Sequence, residues 1–151
     1  MRIALIPVFL AGAAALALSA CGEEGKGGEV NVVLREWAVE PSVNTLEEGP
    51  ITFNTKNEGP DEDHELVIIK TEFAADKLPT KDDGSVDEKA SGLDVKGEVR
   101  EIEPGDDNSG SYTLKPGKYV LICNLVSKAN GQDTAHYGRG MYAGFTVTAK
   151  P

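Results

Sequence analysis

An all-β fold, an antiparallel sandwich or barrel of seven or eight short strands, is what the sequence predicts, on three observations. Short runs rich in β-branched residues recur from Val30 onward, several alternating apolar with polar. Gly- and Pro-bearing turn signals separate these runs at short intervals. The composition, 40% apolar with 17 Gly and 8 Pro among 151 residues, suits a turn-rich β domain rather than a disordered chain. The length is that of one domain.

In order, Val30–Leu34 is the first strand, and Pro41 with Glu47-Glu48-Gly49-Pro50 separates it from the alternating run Ile51–Lys56. Asn57-Glu58-Gly59-Pro60 is a turn, and His64–Lys70 (HELVIIK) is a compact apolar strand. Residues 72–96 form an excursion off the sheets, with one or two helical turns expected over Glu72–Leu78 before Pro79. Strands resume at Gly97–Ile102 and Ser109–Leu114. Lys115-Pro116-Gly117 has Pro then Gly as a type II turn demands, leading into Lys118–Asn124 (KYVLICN). Gly144–Ala149 is the last strand. No repeat at solenoid periods is visible.

The N-terminus carries a different signal. Residues 1–20 read as a signal peptide, with Arg2 as the positive n-region and an apolar stretch from Ile3 to Leu18. Leu18-Ser19-Ala20-Cys21 resembles a bacterial lipobox, which implies cleavage before Cys21 and its lipidation. Residues 21–29 then form a flexible tether, and residues 30–151 the globular domain. The expectation is an exported protein, lipid-anchored to the cell membrane or outer membrane and facing the periplasm or cell exterior.

The formal charge is −10, and about −11 once Arg2 leaves with the export segment. An acidic surface repels phosphates, so nucleic acid is discounted as a partner. It steers a basic protein partner toward the molecule. The acidic run Asp61-Glu62-Asp63 is read as solvated, and Trp37 as packing. Asp82-Asp83-Gly84-Ser85 lacks the D-x-[DN]-x-[DN]-G spacing of a calcium loop.

Cysteine use locates the chemistry. With Cys21 lipidated, Cys123 has no intramolecular partner in a compartment that favours oxidation. Such a thiol is either buried and inert, or a ligand or reactive group. Beyond residue 21 there are two His, one Met and this one Cys, and Cys123, His136 and Met141 fall within 19 residues. His64 opens a separate strand. Two imidazoles, one thiolate and a weak axial thioether are the donor set of a blue-copper centre, so His64, Cys123, His136 and Met141 are the candidate ligands of one copper ion.

The same residues resemble the cupredoxin family, in particular its bacterial sulfocyanin- and plastocyanin-like members. Asn57-Glu58-Gly59 with His64-Glu65-Leu66-Val67-Ile68 is similar to the family's N-x-G…H-E-hydrophobic segment. Lys115–Asn124 resembles its P-G-x-Y-x-x-x-C-N strand, and His136-Tyr137-Gly138-Arg139-Gly140-Met141 its H-Y-x-x-G-M ending. The resemblance covers roughly residues 30–150. It implies a Greek-key β-sandwich, a Cu(I)/Cu(II) site on the four residues above, and an electron carrier whose partners are redox proteins; the acidic charge suits a basic partner such as a c-type cytochrome, and a monomer is expected. One departure stands out. Family members usually place four residues between the Cys and the second His, whereas here twelve intervene, Asn124–Ala135. Tripling a flexible loop costs only about 1 kcal/mol of closure entropy, so the site survives if the insertion bulges outward.

Enzymatic members of that superfamily need further His-rich copper sites, which two histidines cannot build. The leading expectation is therefore a non-enzymatic one-electron carrier. Copper storage, delivery or sensing with the same ligands is the alternative.

Overall fold

The computed structural model describes residues 27–129 and 132–151. The predicted signal peptide and Cys21 lie outside the described residues. Eleven strands are present among these residues: β1 (Gly28–Arg35), β2 (Ala38–Pro41), β3 (Thr45–Glu47), β4 (Gly49–Asn57), β5 (His64–Lys70), β6 (Asp94–Ile102), β7 (Asp107–Leu114), β8 (Gly117–Ile122), β9 (Val126–Ala129), β10 (Gln132–Ala135) and β11 (Tyr142–Thr148). They build a two-sheet sandwich, as the sequence predicts. One sheet has the order β2-β1-β4-β7 and the other β3-β11-β8-β5-β6, while β9 and β10 pair with each other as a separate ribbon. The count exceeds seven or eight because β2 and β3 are short and the 124–135 insertion has strands of its own. The pairing is also not wholly antiparallel: β1 runs parallel to β4, and β3 parallel to β11.

The strand periodicity accounts for the core. Val30, Val32 and Leu34 of β1 face inward with Ile51 and Phe53 of β4. Across the sandwich they meet Leu66 and Ile68 of β5, Tyr119 and Leu121 of β8, and Phe145 and Val147 of β11. The other faces of β5 and β8, Val67, Ile69, Val120 and Ile122, form a second cluster with Leu78, Val86 and Tyr137. The excursion thus roofs the outer side of the five-stranded sheet. That roof explains why HELVIIK is continuously apolar at its centre: β5 is covered on both faces.

Two local expectations give way. Glu72–Leu78 forms no helix, only a turn in which the Lys77 amide bonds the Ala74 carbonyl. The Tyr137 hydroxyl takes the backbone groups a helix would pair, accepting from the Leu78 amide at 2.9 Å and donating to the Ala75 carbonyl at 2.9 Å. So short a helix has little intrinsic stability to set against these tertiary bonds. The excursion also ends earlier than expected, because β6 already begins at Asp94. Gly117 has φ 149° rather than the roughly 80° of a type II turn. Lys115-Pro116 carries the chain from one sheet to the other, and Gly117 is already paired with Val147.

The sheets are also joined at the β6–β7 edge. Tyr112 of β7 donates its hydroxyl to the Glu98 carbonyl (2.6 Å) and accepts from the Glu98 amide (3.1 Å). Its ring lies over Gly97, where an added Cβ would sit 2.1 Å from a ring carbon. Gly97→Ala is therefore expected to displace Tyr112 and destabilise the fold by about 1–3 kcal/mol. The check is a lowered urea midpoint with an unchanged m-value.

Candidate metal centre

The four predicted ligands reach one end of the sandwich by ordinary strand geometry. His64 heads the inward set His64, Leu66, Ile68 on β5, and Cys123 extends Tyr119 and Leu121 one step past the end of β8. The pairing with β6 has a bulge or irregularity between His64 and Leu66, and His64, Glu65 and Leu66 are all buried, as are the residues that follow through Ile69 in a strand covered on both faces. Such bulges re-aim side chains at functional sites. His136 follows β10 directly and precedes the 3-10 turn Tyr137–Arg139.

The donors converge. His64 Nδ1 and His136 Nδ1 are 3.2 Å apart, and Cys123 Sγ lies 3.4 Å from His136 Nδ1 and 3.8 Å from His64 Nδ1. These side chains form the one cluster of three or more metal-ligating His, Cys, Asp or Glu groups among the described residues. All three are essentially fully buried: His64 and Cys123 are 0% exposed and His136 1%. For a first-row ion such as zinc, bonds of roughly 2.0–2.3 Å to nitrogen and sulfur suit donors this far apart. Sulfur beside two imidazoles directs the choice to a soft, borderline metal, and the set fits one type 1 copper ion. Met141 is fully buried in the same core cluster as Cys123. Its carbonyl accepts from the Cys123 amide (3.1 Å) and its amide bonds the His136 carbonyl (3.2 Å), so it stands between the two.

The loop geometry is pinned from several sides. Asn57, fully buried, donates to the Glu62 and Ile102 carbonyls at 2.8 and 2.9 Å and accepts from the Gly59 amide at 2.8 Å. That fixes the loop leading into His64. Asn124 accepts from the Val86 amide and donates to the Val86 carbonyl and the Glu88 carboxylate, tying the excursion to the cysteine strand. The insertion is a hairpin of β9 and β10, whose turn positions 130 and 131 lie outside the described residues. His136 itself is held by its amide bonding the Leu125 carbonyl at 2.9 Å. The hairpin therefore begins and ends at a closed neck.

Four residues outside the predicted ligand set surround the site. Trp37 packs edge-on against His136 and His64, with ring centroids 5.0 and 6.5 Å away, and Arg139 covers its ring at 4.0 Å. Glu36 lies 3.7 Å from His64 Nε2 and Glu62 3.9 Å from His136 Nε2. Thus Glu62, within the run read as solvated, has one face on the site. Glu36 and Trp37 sit in the β1–β2 turn, and only the folded sheets bring them here.

Charge follows burial. Burial pushes the Cys123 thiol up to about 12, against amide bonds from Glu65 and Leu125. Burial, and then His136 itself, lowers His64 to about 4, and burial also lowers His136. Burial alone would raise Glu36, but amide hydrogen bonds from Glu62, its own backbone and Asp61, with the His64 charge, leave it below the usual carboxylate value.

Glu65 is pushed up to about 8, chiefly by burial and then by the Glu98 and Glu88 carboxylates. An acid raised on folding contributes stability that is full below its unfolded pKa and is lost as pH rises through the folded value. The metal-free protein is therefore expected to lose stability between pH 7 and 8, at up to about 1.4 kcal/mol per pH unit. Urea titrations at the two pH values should show the loss in the wild type and not in Glu65→Gln.

No known protein-family profile and no curated protein sequence matches the chain. Solved structures do. The sodium-dithionite-reduced auracyanin of the photosynthetic bacterium Roseiflexus castenholzii is similar over 82% of this chain and 98% of its own, with a TM-score of 0.52 and 20% identity. Auracyanin B is similar over 80% of this chain and 88% of its own (TM-score 0.51, 18% identity). Auracyanin A, a "blue" copper protein of the green thermophilic photosynthetic bacterium Chloroflexus aurantiacus, is similar over 81% and 99% (TM-score 0.52, 13% identity). At these identities the shared property is the fold, a cupredoxin-like two-sheet sandwich.

Proposed function

We propose that this chain is a type 1 copper protein that carries single electrons. His64 and His136 would hold the ion through Nδ1, Cys123 through Sγ, and Met141 through its thioether sulfur. The observation that carries the reading is the convergence of two buried imidazole nitrogens and one buried thiol within 4 Å of one another. When bound, copper supplies the Cu(I)/Cu(II) couple. The protein's part is to keep the donors still. His64 and Cys123 stand on or just beyond strands of one sheet, and Met141 and His136 are bonded backbone to backbone. The Cys123 thiol loses its proton on binding, so uptake releases a proton despite the high thiol pKa. The likeness in fold to a blue copper protein, auracyanin A, supports this assignment.

Storage or delivery is less well supported. Passing a metal to an acceptor requires access to a ligand, and both imidazoles are buried beneath Trp37 and the acidic loops. A partner would approach the groove of about 360 Å³ between Asp61–Asp63 and Leu125–Ser127, beside His136. Its acidic wall favours a basic redox protein, for which a c-type cytochrome is the chemical type. Copper-loaded protein is expected to absorb strongly in the visible and to show narrow copper hyperfine splitting in paramagnetic resonance. Cys123→Ser should abolish the absorption band. A colourless wild type with copper bound would count against the assignment.

Export and lipid anchoring at Cys21 belong to the same proposal and rest on the sequence alone. Cys21→Ser is expected to move the protein out of the membrane fraction, read by fractionating cells that express the two forms.

A further inference from the structure

The Nε2 atoms of His64 and His136 are buried and have no hydrogen-bond partner among the described residues. An imidazole that binds metal through Nδ1 must carry its proton on Nε2, and a buried N–H without an acceptor costs about 1–3 kcal/mol. Glu36 Oε1 lies 3.7 Å from His64 Nε2, an ion-pair distance rather than a hydrogen bond.

That carboxylate is a built feature. Its side chain is only 13% exposed. Oε1 accepts from the Glu62 amide at 2.9 Å and the Asp61 amide at 3.3 Å, which fastens the β1–β2 turn to the loop leading into His64. Gly59 leaves room for it, since a Cβ there would lie 2.5 Å from both carboxylate oxygens. The same loop geometry thus places His64 and holds a negative charge behind it. Glu62 stands in a similar place behind His136, at 3.9 Å, but 34% exposed and correspondingly screened by water.

The geometry points to Glu36 as a positioning residue: it keeps the proton of His64 on Nε2, so that the Nδ1 lone pair faces the metal, and its charge favours the higher oxidation state of the bound ion. The inference rests on the copper reading for its second half and on the geometry of the chain for its first. Carboxylates placed behind metal-bound histidines act in this way generally, orienting the ring and raising its basicity.

Two measurements test it on the full chain. Glu36→Gln retains an oxygen for the Asp61 and Glu62 amides and should fold. In the copper-loaded variant the ratio of Cu(II) to Cu(I) affinity is expected to fall about tenfold, a rise of about 59 mV in reduction potential. Glu40→Gln, which removes an exposed carboxylate paired with Arg35, should leave the potential unchanged. In the metal-free protein, nitrogen-15 spectra should show His64 protonated on Nε2 in the wild type. They should show a lower Nε2–H population in Glu36→Gln, with His136 unaffected. A potential and a His64 tautomer both equal to wild type in Glu36→Gln would overturn the inference. A wild type that takes up no copper would overturn the functional reading instead, and the tautomer would still decide the role of Glu36.

Discussion

The structure depends on burying three polar donors against one another at the open end of a sandwich. Neutral imidazoles and a thiol in such a place lose their water, and the protein must return those interactions or bear the cost. Their pKa directions record the pressure: both imidazoles are driven toward neutrality, and the thiol away from ionisation. A bound cation reverses the balance at once, because it favours thiolate and consumes the facing nitrogen lone pairs. Everything around the cluster resists its relaxation. The two-faced burial of β5 prevents its strand from shifting, the Asn57 bonds hold the approach to His64, and the Asn124 bonds hold the exit from β8.

Much of the fold was legible because strand physics is local. Period-2 alternation in Ile51–Lys56, the continuous apolar centre of HELVIIK and the turn residues between runs each identify an element without reference to the rest. What the sequence left obscure was decided across the sandwich. Glu72–Leu78 has residues that a helix tolerates, yet the hydroxyl of Tyr137, some sixty positions away, captures its amide and carbonyl groups. The hairpin β9–β10 escaped notice because its strands are short and polar and have no core of their own. Among the described residues its strands pair only with each other, apart from the two main sheets.

The site divides in the same way. His64, Cys123 and His136 were legible because metal-binding residue types are scarce here and their spacing brackets two strand ends. Met141 followed from its place after His136. Glu36 and Trp37 carried no comparable signal. They lie nearly thirty residues before the first ligand, in an unremarkable two-residue turn, and their proximity arises only when the four-stranded sheet closes over the other. Glu62 was visible as charge, but an acidic run near a surface loop does not reveal which member turns inward. Residues that touch the metal are dictated by chemistry and leave a type signature, whereas those that support the ligands are dictated by shape.

That distinction also explains how the site tolerates twelve residues between Cys123 and His136. A loop connecting two ligands matters only if its own conformation sets their separation. Here the separation is set at the neck, where the His136 amide bonds the Leu125 carbonyl and the Met141 carbonyl bonds the Cys123 amide. Val126 pairs with Ala135 immediately beyond the neck, so the added chain closes on itself before it can pull on either donor. Its entropic cost falls on the hairpin, and the short span from Cys123 to Leu125 does the work that a minimal loop would do. The insertion instead adds a wall facing the acidic loop, in a groove that reaches His136, without changing the donors.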